Sequence, residues 1–150
     1  MGWRKRQGSG WLVYVLVGFL ALLSSCAGGG AEEEGVEGGL EPTLPSIQVN
    51  IFTPICAVFG CHTGANAPQG LRLDSATESF NNLVGVPSVG RPDLMLFRVD
   101  PGSPDESYLV WKIEGRPGIE GGRMPLNQAP LSSEQIDAIR QWILAGAPPP

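Results

Sequence analysis

Two cysteines and the only histidine of the chain lie within one short segment, Cys56–His62, which reads CAVFGCH. Two closely spaced thiols followed directly by an imidazole are the groups that covalent attachment of a c-type haem requires. Each thiol can add to one vinyl group, and the adjacent histidine can then reach the iron. The usual attachment motif is C-x-x-C-H, whereas this segment has two additional residues between the cysteines.

The longer spacing restricts how this segment can attach a haem. On a regular helix the five steps from Cys56 to Cys61 turn about 500°, compared with about 300° for three steps. The segment must therefore bulge if both thiols are to reach the vinyl groups, and Gly60 supplies the backbone freedom. Two other chemistries fit the same residues. They are a structural Cys56–Cys61 disulfide and a Cu(I) site that adds His62 and Met124, because Cu(I) prefers sulfur and nitrogen donors.

A haem held by His62 needs a second axial ligand to carry electrons, and methionine is the natural candidate because the chain has no second histidine. Met124 is the predicted ligand, since it lies in the sequence GGRMP, where a loop can direct the thioether freely. Met95 is the alternative, although its apolar neighbours in DLMLF make core packing the ordinary explanation. Ligation by histidine and methionine raises the reduction potential of a haem above that of a haem with two histidine ligands. Such a potential suits an electron carrier.

The N-terminus has the pattern of an export signal. Basic residues at Arg4–Arg6 precede Trp11–Leu23, a run of 13 apolar residues. That run fits the apolar region of a secretory signal and is shorter than the roughly 20 residues of a membrane span. The sequence Leu23–Cys26 follows directly and resembles the lipobox of bacterial lipoproteins. We therefore expect a signal peptide over residues 1–25 and a lipid on Cys26, which anchors the protein outside the cytoplasm on the periplasmic side of a membrane.

The residues after the lipid site divide into a tether and a domain. Residues 26–45 are rich in Gly and Glu and are too polar to form a core. They predict a flexible tether that spans roughly 25 Å. Ala27 is not an obvious retention signal for the inner membrane, which favours the outer membrane. From Ser46 onward, 7 basic and 10 acidic residues give no basic patch, so nucleic acid is not an expected partner.

The domain, residues 46–150, reads as an all-α fold of about four short helices with long Gly/Pro loops. A first helix is expected to end near Phe52, because Pro54 has no N–H to donate, and the loop after it carries the cysteines. Capping patterns predict that three further helices begin after Ser75, Ser103 and Ser132.

The apolar side chains of these helices predict the core. In the last helix we expect Ile136, Ile139 and Ile143 to form the buried stripe, with Trp142 at its edge. Leu94–Val99 is a candidate for a short extended segment. Five aromatic side chains are expected to enclose a bound ring: Phe52, Phe59, Phe80, Trp111 and Trp142.

From about Ser46 to Ala147 the chain resembles the cytochrome c domains of bacterial secreted and membrane-attached proteins, a group that includes the planctomycete-type domains. The segments that carry the resemblance follow the cysteine motif in order. They are GLRL at 70–73, PGSPDESYL at 101–109, the pair Met124-Pro125 and the closing helix pattern from Ser132 to Ala147.

The resemblance implies a small cytochrome c-like fold with one covalent haem c. Cys56 and Cys61 would be the thioether anchors, and His62 and Met124 the axial ligands. The implied function is electron transfer to redox partner proteins that the sequence does not identify. No enzymatic site is expected, although a role within a larger complex stays open. The alternatives are a haem-free structural or interaction lipoprotein with a Cys56–Cys61 disulfide, and a Cu(I)-binding protein.

Overall fold

Short helices make up the regular structure of the computed structural model, which describes residues 40–150. The predicted signal peptide, the predicted lipid site at Cys26 and the tether up to residue 39 lie outside the described residues. Residues 40–150 form helices and contain no β-strand, so the predicted all-α class is confirmed. In the same part of the chain, no helix has the length and apolar character needed to cross a membrane.

The first helix begins earlier than the sequence indicated. Helix α1 spans Leu44–Ile47, and the Thr43 side chain caps it by accepting a hydrogen bond from the Ser46 N–H at 3.4 Å. Leu44 is buried in the core and Leu40 packs against the same core. The folded domain therefore starts before Ser46, where the sequence pattern placed its boundary.

A π-helix over Gln48–Cys56 directly continues α1 and contains Pro54. Proline in an α-helix removes one hydrogen bond and presses its ring on the carbonyl four residues earlier. The π-helix bonds to the carbonyl five residues earlier, as from Ala57 to Phe52 at 2.7 Å, and this wider turn accommodates the ring. The prediction that the helix ends near Phe52 is therefore wrong, because helical structure continues to Cys56.

Helix α2 spans Ala76–Leu83 and begins where its capping pattern predicts. The Ser75 hydroxyl accepts a hydrogen bond from the Glu78 N–H at 3.2 Å. The Glu78 carboxylate turns to Arg72 and Asn82, so the reciprocal half of the capping box is replaced by these two contacts.

Helix α3 spans Tyr108–Glu114 and begins later than its pattern suggested. The predicted capping box after Ser103 does not form. A 3₁₀ turn occupies Pro104–Glu106, and its N-cap, Ser103, makes no side-chain capping hydrogen bond. The Ser107 hydroxyl instead donates to the Ser103 carbonyl at 3.0 Å, which ties the turn to the start of α3. Gly115 ends the helix in the left-handed conformation that glycine adopts readily.

Helix α4 spans Ser133–Leu144 and has the predicted capping box of Ser132 and Gln135. The buried stripe differs from the prediction in one respect. Trp142 is fully buried and Ile136 only partly so, which exchanges their expected positions. Burial of Trp142 is favourable because its indole N–H donates to the Pro148 carbonyl at 3.0 Å, and the ring carries no unsatisfied donor.

The connection between α2 and α3 contains 3₁₀ turns and single bridges rather than strands. A 3₁₀ turn spans Pro92–Leu94, and isolated bridges pair Val84 with Val99 and Pro87 with Phe97. The predicted extended segment Leu94–Val99 therefore exists only in its second half. The remaining 3₁₀ turn, Pro68–Gly70, follows the histidine loop.

The core forms where α1 packs against α4, while α2 contacts α1 and α3 contacts α4. The π-helix adds Ile51 and Phe52 to the same buried cluster. Helix packing of this kind buries one apolar face of each short helix. The largest fully buried side chains are Trp142, Phe52, Leu44, Ile47, Ile51, Leu73, Leu83, Ile139 and Ile143.

Ion pairs join α3 to α4 at the surface. Arg140 reaches Glu114 and Asp105 at 3.0 Å each, and Arg116 reaches the same two acids at 2.6 Å. The hydrogen bond from Arg116, together with that from Arg140, lowers the pKa of the Asp105 carboxyl. Asp105 therefore connects the 3₁₀ turn to the end of α3 and to α4.

One buried polar side chain connects the first helix to the segment after the histidine. Gln48 donates to the Leu73 carbonyl at 2.8 Å and accepts from the Ser79 hydroxyl at 2.7 Å. All three groups are buried, so each depends on the others for its hydrogen bonds.

Replacing Gln48 by leucine is expected to destabilise the fold. The change leaves the Leu73 carbonyl and the Ser79 hydroxyl buried without a partner, and we expect a loss of about 1–3 kcal/mol in the free energy of unfolding. Urea unfolding followed by circular dichroism measures it. The matched control is Gln141→Leu on the exposed face of α4, for which we expect a change within about 0.5 kcal/mol. Equal stability of the two variants would contradict the prediction.

Candidate functional site

The segment Cys56–His62 leaves the helix and folds back on it. Cys56 is the last residue of the π-helix, and its carbonyl accepts a hydrogen bond from the His62 N–H at 3.0 Å. The residues between form an outward bulge that contains Gly60 at φ +79°. The segment bulges at Gly60, and the expectation that this bulge lets both thiols reach a ring stays a prediction. The bulge brings His62 back beside Cys56 despite the two additional residues.

Phe59 lies at the tip of this bulge and is fully exposed. The expectation that Phe59 would enclose a bound ring is therefore wrong. The bulge turns the Phe59 side chain toward solvent, whereas Val58 beside it is only partly exposed. Of the five aromatic side chains predicted for this role, Phe52 alone lines the cavity described below, and Tyr108 lines it without having been predicted.

The imidazole of His62 is fixed by a backbone carbonyl. Nδ1 lies 3.0 Å from the carbonyl oxygen of Leu71. A carbonyl oxygen can only accept, so this hydrogen bond requires the proton on Nδ1 and leaves Nε2 with its unshared pair. The Leu73 N–H donates to the His62 carbonyl at 2.8 Å, which aligns the two segments. This is the arrangement that orients a histidine as a metal ligand.

Asp74 holds the backbone that follows His62. Its carboxylate accepts hydrogen bonds from the Thr63 hydroxyl and from the Gly64 N–H, the latter at 3.1 Å. These two bonds, that from Thr63 first, lower the pKa of the Asp74 carboxyl. The loop after the histidine is therefore attached to the segment Leu71–Asp74 at both the ring and the backbone.

The pKa of His62 lies below its ordinary value. Burial is the main cause, because it disfavours the imidazolium. The hydrogen bond with Leu71 acts in the opposite direction, and the positive charges of Arg98 and Lys112 add to the lowering. The ring is therefore kept neutral at physiological pH, which is the protonation state that a ligating imidazole requires.

An apolar cavity of about 340 Å³ lies beside the imidazole. Cys56, His62 and Met124 all line it. The structure thus brings together three of the four residues predicted for haem binding, although Met124 is far from the other two in sequence. The fourth, Cys61, does not line the cavity. It lies close enough to Cys56 for its charge to raise the pKa of that thiol. The apolar lining includes Phe52, Leu71, Leu73, Leu83, Leu109, Ile113, Leu131 and Ile139.

Met124 reaches the cavity because its loop is attached to α3. The Met124 N–H donates to the Lys112 carbonyl at 2.8 Å. Met95, the alternative ligand, is 87% exposed and is not among the residues that line the cavity. A short 3₁₀ turn followed by a left-handed Met95 directs this side chain away from the core. In this conformation of the chain, Met124 alone of the two is at the cavity.

Two cations line the cavity, and neither was predicted from the sequence. Arg98 donates to the Asn82 carbonyl at 2.8 Å and to the Gln69 carbonyl at 2.6 Å. Neither Arg98 nor Lys112 has an ion-pair partner among residues 40–150. Burial lowers the pKa of both side chains. The available signal was the position of each cation within an otherwise apolar run, Phe97–Val99 for Arg98 and Tyr108–Ile113 for Lys112.

The described cysteines are both free thiols. Burial, and then the nearby Cys61, raises the pKa of the Cys56 thiol to about 12. Within residues 40–150 no group of three His, Cys, Asp or Glu side chains has the arrangement of a metal site. The sulfur and imidazole donors that line the cavity are one thiol, one imidazole and one thioether, and Glu120 is the one carboxylate residue among the described lining residues.

Comparisons of the whole chain with protein-family models, with curated proteins and with solved structures gave no match. The proposed chemistry of the site is therefore based on its residues and their geometry alone.

Cys56 is expected to react slowly with alkylating reagents in the folded, reduced chain. Only the thiolate reacts, and at pH 8 the raised pKa reduces its fraction, so we expect alkylation at least about 100-fold slower than in the urea-unfolded chain. Iodoacetamide labelling followed by peptide mass mapping measures the rate at each cysteine. The unfolded chain is the control, and equal rates before and after unfolding would contradict the raised pKa.

Proposed function

We propose that this chain is an exported, membrane-tethered c-type cytochrome that carries one covalent haem and transfers electrons. The observation that carries the proposal is that Cys56, His62 and Met124 line one apolar cavity. A thiol, an oriented imidazole and a thioether form the donor set of a haem c with histidine and methionine ligation. The cytochrome c-like fold is part of the same proposal, and the helical architecture is consistent with it.

Each proposed ligand has a defined role. Cys56, in the cavity wall, and Cys61, beside it, would form the thioether bonds, and Nε2 of His62 and the sulfur of Met124 would bind the iron. When bound, the haem supplies a one-electron iron couple. The Leu71 carbonyl holds the imidazole in one orientation, so the ligand needs little rearrangement between oxidation states.

The cavity has the size and the apolar character of a small-molecule or cofactor site. Its volume of about 340 Å³ lies within the range of small-molecule and cofactor sites, about 300–1,000 Å³. Its walls are mostly apolar. Arg98 has no ion-pair partner among the described residues and retains donors, because a guanidinium has five N–H groups. A cation in this position suits a ligand that carries carboxylates.

The proposed localisation and partners are based on the sequence pattern of the N-terminus. A lipid on Cys26 would hold the domain at the periplasmic face of a membrane, with the outer membrane favoured. The proposed role is that of an electron carrier rather than an enzyme, and its partners would be redox proteins. The membrane contact would be made through the lipid.

Covalent haem is the first test. When the full-length chain is produced together with haem-maturation proteins, we expect a Soret band and a mass increase of one haem. Cys56→Ala and Cys61→Ala should each leave a single thioether bond, and the double variant should carry no covalent haem. A chain without haem that contains a Cys56–Cys61 disulfide would support the structural alternative. Copper binding that is lost in Cys61→Ser would support the Cu(I) alternative.

The assignment of the second axial ligand is tested by replacing each methionine with leucine, which has a similar size. Met124→Leu is expected to abolish the thioether–iron absorption band near the red edge of the visible spectrum. It is also expected to lower the reduction potential of the haem, because the sulfur ligand favours the reduced iron. The haem should stay attached. Met95→Leu is the matched control and should leave both properties unchanged. Loss of the band in Met95→Leu rather than in Met124→Leu would reverse the assignment.

A further inference from the structure

Lys112 makes an unusual set of contacts with the segment that carries Met124. Its ammonium donates to the Glu120 carbonyl at 2.8 Å and to the Gly122 carbonyl at 2.7 Å. Its own carbonyl accepts from the Met124 N–H at 2.8 Å. One residue of α3 therefore holds the segment Glu120–Met124 at three points, two through its side chain and one through its backbone.

Tyr108 adds a contact from the preceding turn of the same helix. Its hydroxyl accepts a hydrogen bond from the Glu120 N–H at 2.9 Å. Residues four apart lie on the same face of a helix, so Tyr108 and Lys112 form one surface against the segment. Both residues also line the cavity.

The segment needs an external attachment because it has no regular structure of its own. Glu120–Gly122 is exposed, and Gly121 has φ +67°. The methionine side chain cannot fix its own position, since it has three rotatable bonds and a sulfur that accepts hydrogen bonds only weakly. The carbonyls bound by Lys112 are therefore the means by which the fold restricts where the Met124 backbone lies.

Among the cations near the segment, Lys112 donates to carbonyls within Glu120–Met124, whereas Arg91 donates to the carbonyl of Gly118, which precedes it. Arg123, the adjacent residue of the loop, is exposed and makes no side-chain hydrogen bond within residues 40–150. The ammonium of Lys112 has no carboxylate partner in that same range, and both of its hydrogen bonds go to the segment. Hydrogen bonds from a charged donor are stronger than neutral ones.

We propose that Lys112 is the positioning residue that holds Glu120–Met124 at the rim of the cavity and thereby directs the Met124 thioether to a bound iron. The role rests on the proposed function, because it concerns the second axial ligand of the haem. Lys112 acts through Met124 and does not itself ligate the iron.

The first experiment uses the haem-loaded, full-length chain purified in detergent. Lys112→Leu keeps an apolar stem and removes both donors, Lys112→Arg keeps a cation with donors, and Arg123→Leu is the matched control for loss of one positive charge. The probe is imidazole, which must displace the thioether to bind the oxidised iron. Each variant is also examined for attached haem by mass and for helical content by circular dichroism.

We expect imidazole to bind Lys112→Leu about tenfold or more tightly than the unmodified chain, because the loss of two charge-assisted hydrogen bonds makes the thioether easier to displace. The thioether–iron band should weaken in parallel while the haem stays attached. Lys112→Arg should restore most of the band, and Arg123→Leu should stay within about twofold of the unmodified chain. A folded Lys112→Leu with an unchanged band and unchanged imidazole affinity overturns the inference and leaves the cytochrome proposal intact.

The second experiment needs no haem and separates the two proposals. Amide hydrogen exchange in the haem-free full-length chain reports local opening of the loop. We expect the Met124 amide, which donates to Lys112, to exchange about tenfold faster in Lys112→Leu than in Arg123→Leu. Equal exchange rates of the Met124 amide in the two variants would overturn the inference that Lys112 holds the segment Glu120–Met124. Faster exchange in a chain that never takes up haem overturns the assignment to an iron ligand together with the proposed function.

Discussion

The His62 ring donates from Nδ1 to the carbonyl of Leu71, and the rest of the site depends on this contact. The hydrogen bond determines which nitrogen is protonated, so it determines which nitrogen can bind a metal. The Leu71 carbonyl is in turn held by its chain neighbours. Leu73 pairs with the His62 backbone and with Gln48, and Asp74 binds the loop that follows the histidine. A single orientation of the imidazole is thus supported by three further hydrogen bonds, all made by Leu73 and Asp74.

The cavity shares its walls with the core. Phe52, Leu83 and Ile139 belong to the buried cluster, and each also lines the cavity. Side chains that face a void lose dispersion contacts on that side. A small domain of short helices buries little apolar surface elsewhere that could offset the lost contacts. An apolar ligand in the cavity would restore those contacts, and its binding would then stabilise the fold.

Local patterns predicted the helices well where the determining contacts are close in sequence. The capping boxes or caps at Ser75 and Ser132 act over three residues, and both helices begin as predicted. The pattern at Ser103 failed because Ser107 forms competing contacts with Ser103 and Asp100. The predicted helix end before Pro54 is wrong for a different reason. The helix widens into a π-helix there and continues to Cys56.

The sequence by itself determined the residue types of the site and their local spacing, namely the thiols, the single histidine and a methionine on a loop. Tertiary structure decided that Cys56, His62 and Met124 share a cavity and that Cys61 lies beside it rather than in its wall. It also decided that Phe59 faces solvent and that Lys112 reaches the Glu120–Met124 segment. These outcomes depend on contacts between distant parts of the chain, which are set by how the helices pack and not by the local pattern around any one residue.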